Sequence, residues 1–275
     1  MPRQTSFYYS FLVLPPEQRR AITAVWDFCR AVDDAVDETG LVAAGAAAAS
    51  EAIRFWRAEL ARCFDGERPA TSQGRSLQPF ITAFDLPRQP FDDVVDGVAM
   101  DIDTMRYETF GDLFEYCRRV ASAVGLICIR IFGCRGDDAS KYAVNLGLAL
   151  QLTNIIRDIK DDLARGRIYV PLEDLEACGC TVGDLAAAAL NEPARRVIAF
   201  ECGRAREFYA RAVRAAAQLP GADRKRLVAA EIMRAVYFDI LKRIERSGYD
   251  VFAARVRVPR PRQALIAIRQ WLWMS

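Results

Sequence analysis

The chain has 275 residues, with 38 basic side chains set against 36 acidic ones and no histidine at all. That length can bury a large core, and a near balance of charge without long runs of either sign excludes a nucleic-acid-binding tract or an acidic tail. The lack of histidine removes the commonest general base and the commonest neutral metal ligand, so a metal here must be held by oxygen or thiolate.

The eight cysteines show no C-x-x-C zinc spacing and several fall inside apolar helical patterns, which reads as buried, reduced thiols in a cytoplasmic protein. No signal peptide is evident, and no apolar run approaches the roughly 20 residues that span a bilayer. The chain is expected to be cytoplasmic, resting at most on the inner face of a membrane.

Apolar positions recur with helical period through nearly the whole sequence and never alternate in the manner of strands. One all-α domain over 1–275 is predicted, with helices near 16–38, 43–64, 74–84, 88–104, 109–133, 137–164, 184–190, 193–217, 221–246 and 262–273. Pro15-Pro16, Pro87, Gly133 to Gly136, Gly166, Pro171, Gly179 and Pro220-Gly221 supply the breaks.

The first long helix ends in DDAVDE, which puts Asp33 and Asp37 one turn apart on one face with Arg30 a turn earlier. An Arg30–Asp33 salt bridge would account for part of this, worth under about 1 kcal/mol. Asp92/Asp96, on the helix near 88–104, repeats the spacing. About two D-x-x-x-D pairs arise by chance in such a chain, so spacing alone assigns nothing.

The helix near 137–164 says more. At about 100° per residue, Gln151, Asn154, Asp158 and Asp162 fall in a band roughly 80° wide, extended by Arg157 and Asp161, beside an apolar arc of Leu148, Leu152, Ile155, Ile159 and Leu163. Uncharged amides in the middle of the helix and aspartates at its end suit a pocket wall better than a solvated face. Arg157 supplies a forked donor for phosphate oxygens, and Arg165-Gly166-Arg167 adds two guanidiniums where glycine ends the helix. Two acidic faces turned toward each other would need a neutralising cation, and Mg²⁺ fits, because it prefers oxygen ligands and keeps substrate phosphate in its shell. At the C-terminus, Ile268, Trp271 and Trp273 interleave with Arg260, Arg262 and Arg269, a pattern that suits either an interfacial helix or a plain packing helix.

Four segments together resemble the squalene/phytoene synthase family, the head-to-head trans-prenyltransferases. They are SFYYSFLVLPPEQRRAITAVWDFCRAVDDAVDE (6–38), MDIDTMRYETFGDLFEYCRRVASAVG (100–125), LGLALQLTNIIRDIKDDLARGRIYVP (146–171) and, more weakly, RAVYFDILKRIERSGYDVFAARVRVP (234–259). The wording FYY…LPPEQRRAI, RYETF and ERSGYDVFAARV is most similar to the bacterial presqualene diphosphate synthases of the hopanoid pathway.

The resemblance implies an isoprenoid-synthase-type helical bundle around a central cavity, condensing two molecules of farnesyl diphosphate to presqualene diphosphate. It implies that Asp33, Asp37, Asp158 and Asp162 hold Mg²⁺ against diphosphate, helped by Arg30, Asn154, Arg157 and Arg167. Phe7, Val120, Leu148 and Gln151 would line the prenyl cavity, and Tyr116 and Tyr237 would lie near the reacting carbons or the diphosphate. Trp26 departs from the tyrosine that many members carry there. NADPH is not expected, because in the hopanoid subfamily separate enzymes finish the pathway. The alternatives are phytoene, dehydrosqualene or squalene formation from C20 or C15 diphosphates, a terpene cyclase, and a non-catalytic assembly factor that keeps the fold. The last is disfavoured because all four aspartates are present.

Overall fold

The structure, a computed structural model, describes residues 8–37, 43–187 and 189–274, without the side chains at 8, 37 and 43–45. Among them are helices α1 (Tyr8–Leu12), α2 (Pro16–Asp37), α3 (Ala43–Asp65), α4 (Ser72–Ala83), α5 (Arg88–Asp103), α6 (Phe110–Cys117) and α7 (Ala123–Phe132). The chain continues through α8 (Asp137–Ala164), α9 (Leu172–Ala177), α10 (Val182–Ala186), α11 (Glu192–Gln218), α12 (Gly221–Arg226), α13 (Val228–Arg246) and α14 (Arg260–Met274). A π-helical turn, Arg118–Ser122, joins α6 to α7.

Local chemistry sets most boundaries. Thr109 and Asp112 form a reciprocal capping box that starts α6, Thr181 and Asp184 do the same for α10, and the Asn191 side chain accepts from the Ala194 amide at the start of α11. Gly133, at φ +81°, stops α7 in the left-handed conformation that favours glycine.

Helix α8 is the axis of the fold. It packs along α11 and also meets α7, α13 and the π turn, while α2 to α5 form a second group that reaches α8 through α7 and the π turn. Phe28, Leu60, Leu77 and Phe91 are fully buried in that second group, and each contributes about 1.5–3 kcal/mol by leaving water. Between α8 and α11, the Thr153 and Tyr209 hydroxyls share a hydrogen bond of 3.0 Å.

Three differences from the sequence reading have physical causes. The expected helix over 109–133 is interrupted by the π turn, which is wedged between α5 and α8. The expected helix over 221–246 breaks at Leu227, where α12 and α13 share a cap. Helix α9 follows Pro171 in a stretch too short to show a period, and α1 is a single turn before Pro15. No described helix is long and apolar enough to cross a membrane.

Candidate active site

The C-terminal ends of α2 and α8 open on one cavity of about 540 Å³. Its depth is lined by apolar side chains from α1, α2, α5, α7, α8 and α13, among them Phe11, Val25, Val98, Leu146 and Met233. Arg30, Asp33, Asp158, Asp162, Arg165 and Arg167 are among the charged groups around it. Trp26, Tyr116, Val120, Gln151, Asn154, Arg157 and Tyr237 line it too.

Leu148 does not, which corrects the reading of the sequence. It follows Gly147 by one helical step, about 100° of rotation, and is buried in the core at 1 % exposure while Gly147 takes the cavity side. Phe7 and the Asp37 side chain lie outside the described residues. Arg30 pairs with Asp34 at 3.3 Å rather than with Asp33. The third acidic pair is no pocket: Asp92 pairs with Arg88 at 3.4 Å and Asp96 with Arg57 at 2.7 Å.

The end of α8 is shaped by its backbone. Gly166, at φ +79°, lets the Arg167 amide donate to the Asp162 carbonyl at 2.9 Å and the Gly166 amide to that of Leu163 at 3.0 Å. This Schellman closure turns Arg165 and Arg167 back toward the cavity.

The charges are tightly interlocked. Arg157 donates from Nε to Asp158 at 2.9 Å and from a second nitrogen to the other carboxylate oxygen. Arg255, from the segment between α13 and α14, also grips Asp158, at 3.0 Å. Burial alone would favour the neutral Asp158, but the hydrogen bonds and charges of the two arginines hold its carboxyl below the usual range. Asp162, one turn on, behaves oppositely. Burial first and the neighbouring Asp158 charge second push its carboxyl up to about 7, despite Arg165 and Arg167. Tyr237 is fully enclosed and its phenol is raised by burial, partly offset by Arg157.

This donor set suits a hard cation. Asp33, Asp158 and Asp162 offer carboxylate oxygens around one cavity, and the Asn154 Oδ1 atom is buried with no hydrogen-bond partner. No three described acidic, cysteine or histidine side chains close on a single point. An ion would therefore take few protein oxygens and fill its shell with phosphate and water, the habit of Mg²⁺.

The π turn places the remaining wall. A Cβ added to Gly97 would lie 2.7 Å from Val120 Cγ1, and one on Gly147 would lie 2.6 Å from Ser122 Cα. Only glycines let α5 and α8 close on the turn from two sides, so that Tyr116 before it and Val120 and Val124 within and after it all face the cavity.

Two further cavity residues, Asp101 and Tyr169, and the mouth residue Arg255 escaped the sequence reading. Tyr169 is brought in by pairing of two loops: Arg106 and Ile168 form a parallel bridge, and the Ile168 amide donates to the Met105 carbonyl at 2.9 Å.

The squalene/phytoene synthase family model matches residues 2–262. A 15-cis-phytoene synthase of Synechocystis sp. is 36 % identical over 97 % of this chain and 80 % of its own length, and phytoene synthase 2 of Solanum lycopersicum is 33 % identical over 94 % and 83 %. Among solved structures, squalene synthase HpnC from Alicyclobacillus acidocaldarius superposes with a TM-score of 0.77 at 34 % identity over 89 % of each chain. A ligand-bound dehydrosqualene synthase reaches 0.86 at 26 % identity, over 99 % of this chain and 92 % of its own. With its helical fold, its two acidic helix ends and these relatives, the chain belongs to the squalene/phytoene synthase family, whose members are head-to-head prenyltransferases.

Proposed function

We propose that the protein condenses two molecules of farnesyl diphosphate head to head to presqualene diphosphate. The observation that carries this reading is that two acidic helix ends, 125 residues apart in sequence, open on one cavity whose depth is apolar. Such a cavity takes a diphosphate at its mouth and a prenyl chain below.

Magnesium, held by Asp33, Asp37, Asp158, Asp162 and the Asn154 oxygen, would neutralise diphosphate and favour its departure. Arg157, Arg165, Arg167 and Arg255 surround the same anion and stabilise the charge that develops on it. As Arg157 and Arg255 engage phosphate, they release Asp158 from their grip. The apolar wall keeps water from the allylic cation, and the faces of Trp26, Tyr116 and Tyr237 are placed to steady it. The double bond of the second substrate attacks the cation, and loss of a proton closes a cyclopropane. The reaction stops there, with no role for NADPH.

A second reading, phytoene formation from C20 diphosphates, is favoured by the names of the curated relatives. Incubation with C15 and C20 diphosphates and Mg²⁺, with and without NADPH, followed by mass spectrometry, separates the two. A C40 product alone would remove the C15 assignment. Unchanged diphosphate release by an Asp33→Ala, Asp158→Ala double variant would remove the catalytic reading altogether.

We further place the protein in the cytoplasm, with α14 against the inner membrane surface. Leu265, Ile268, Trp271, Leu272 and Trp273 are exposed on this helix, Trp273 at 81 %. Residues 251–275 contain five arginines and no acidic residue, which suits an anionic bilayer.

A further inference from the structure

The cavity wall holds one carboxylate that belongs to neither acidic helix end. Asp101, on α5, is only 7 % exposed and lines the cavity beside Tyr116 and Tyr169. The Tyr116 hydroxyl donates to Asp101 Oδ2 at 3.0 Å and the Tyr169 hydroxyl to Oδ1 at 2.8 Å. The two rings stack at 5.3 Å, and Tyr107 covers them at 5.5 and 5.8 Å. Three separate segments are thus brought together to hold one carboxylate under aromatic rings.

Burying a carboxylate is costly even when it is hydrogen-bonded, and an amide at position 101 could hold a phenol at a smaller cost. The direction of the bonds is informative. The Tyr116 hydroxyl also lies 3.4 Å from the Tyr169 hydroxyl, but the Asp101 carboxylate is the nearer and stronger acceptor, and with its proton directed at either of these partners the Tyr116 oxygen offers only lone pairs to the cavity. Burial first and the Asp101 charge second raise the Tyr116 phenol well above its ordinary value, so it is no base by ionisation. Backed by a carboxylate it need not ionise, because it can accept one proton while passing its own along the hydrogen bond.

We infer that Asp101, acting through Tyr116, receives the proton released when the cyclopropane closes, an inference that rests on the condensation proposed above. The C–H bond at C1 of the donor chain breaks and its electron pair forms the last ring bond. That proton goes to Tyr116 Oη, and the hydroxyl proton of Tyr116 moves to Asp101 Oδ2. The positive charge of the cation and the negative charge of Asp101 vanish together. Asp101 is in this sense a positioning residue, which fixes what the phenol presents to the reacting chains.

The test uses the full chain with Mg²⁺ and whichever prenyl diphosphate the wild type condenses, measuring diphosphate release and condensed product separately. Positioned proton transfer contributes roughly 10²–10⁴-fold to rate. Asp101→Asn should therefore lower kcat for condensed product about 100-fold or more, with KM within about twofold. Diphosphate release should fall by less than about tenfold, the excess appearing as prenyl alcohol from water capture, and Asp101→Glu should recover at least about tenfold of the lost product. Product within about threefold of wild type, equal loss of release and product, or no recovery with Glu would each overturn the inference. Should Asp101→Asn fail to fold, Tyr116→Phe keeps the carboxylate and the packing and must show the same partition; unaltered coupling in that variant also overturns it. A wild type that condenses neither C15 nor C20 diphosphate overturns the condensation reading and this inference with it, whereas condensation unaffected by position 101 overturns this inference alone.

Discussion

Asp162→Asn should make the protein more stable and less active, and the gain should depend on pH. The folded chain holds the Asp162 proton up to about pH 7, whereas the unfolded chain releases it near 3.8. The unfolded state therefore binds fewer protons over that interval, and stability falls as pH rises from about 4 to about 7, with the full cost present above. A rise from 3.8 to about 7 corresponds to about 4 kcal/mol at pH 8 and less than half of that at pH 5. For a chain of this size 1 kcal/mol moves Tm by about 2–4 °C, so removing the charge should raise Tm by roughly 8–16 °C at pH 8 and by less than half as much at pH 5. Differential scanning fluorimetry in EDTA, at both pH values, makes the comparison in the metal-free protein. Adding Mg²⁺ with inorganic diphosphate should then stabilise the wild type more than the variant. An equal change in Tm at pH 5 and pH 8, or none at either, would refute the argument that burial and the Asp158 charge hold this carboxyl out of its ordinary range.

Two further outcomes are expected. Gly147→Ala puts a methyl 2.6 Å from Ser122 Cα and should cost about 1–3 kcal/mol in urea unfolding with reduced activity, because the π turn must shift. Gly203→Ala on α11 meets open space and should be neutral or stabilising by up to about 1 kcal/mol; equal effects at the two positions would count against close packing at the turn. The chain should float with liposomes containing anionic lipid and lose that property on Ile268→Glu with Leu272→Glu, while keeping its activity in detergent. Equal flotation of the variant would exclude α14 as the contact.

What could be read from the sequence was what lies within one helix. The band of Gln151, Asn154, Asp158 and Asp162 follows from 3.6-residue periodicity, and all four do face the cavity. The family resemblance puts Leu148 on the cavity wall, whereas the same periodicity sets it on the adjoining apolar arc, and it is buried in the core. Asp101, Tyr169 and Arg255 reach their places through contacts between segments 53 to 97 residues apart, such as Tyr116 with Tyr169 and Arg255 with Asp158. No periodicity marks such contacts. The π turn was equally hidden, because RRVAS is an ordinary helical pentapeptide that takes its form from the glycines pressed against it on α5 and α8.

That turn has a consequence for how the protein tolerates change in length. A five-residue loop of backbone in place of four shifts everything after it by one position, so the stretch from 110 to 132 carries two angular phases along one rod. Deleting a single residue between 118 and 122 would restore a uniform spiral and swing Tyr116 about 100° relative to Val124. The rod would survive, but one end would aim its side chains at the hollow and the other past it.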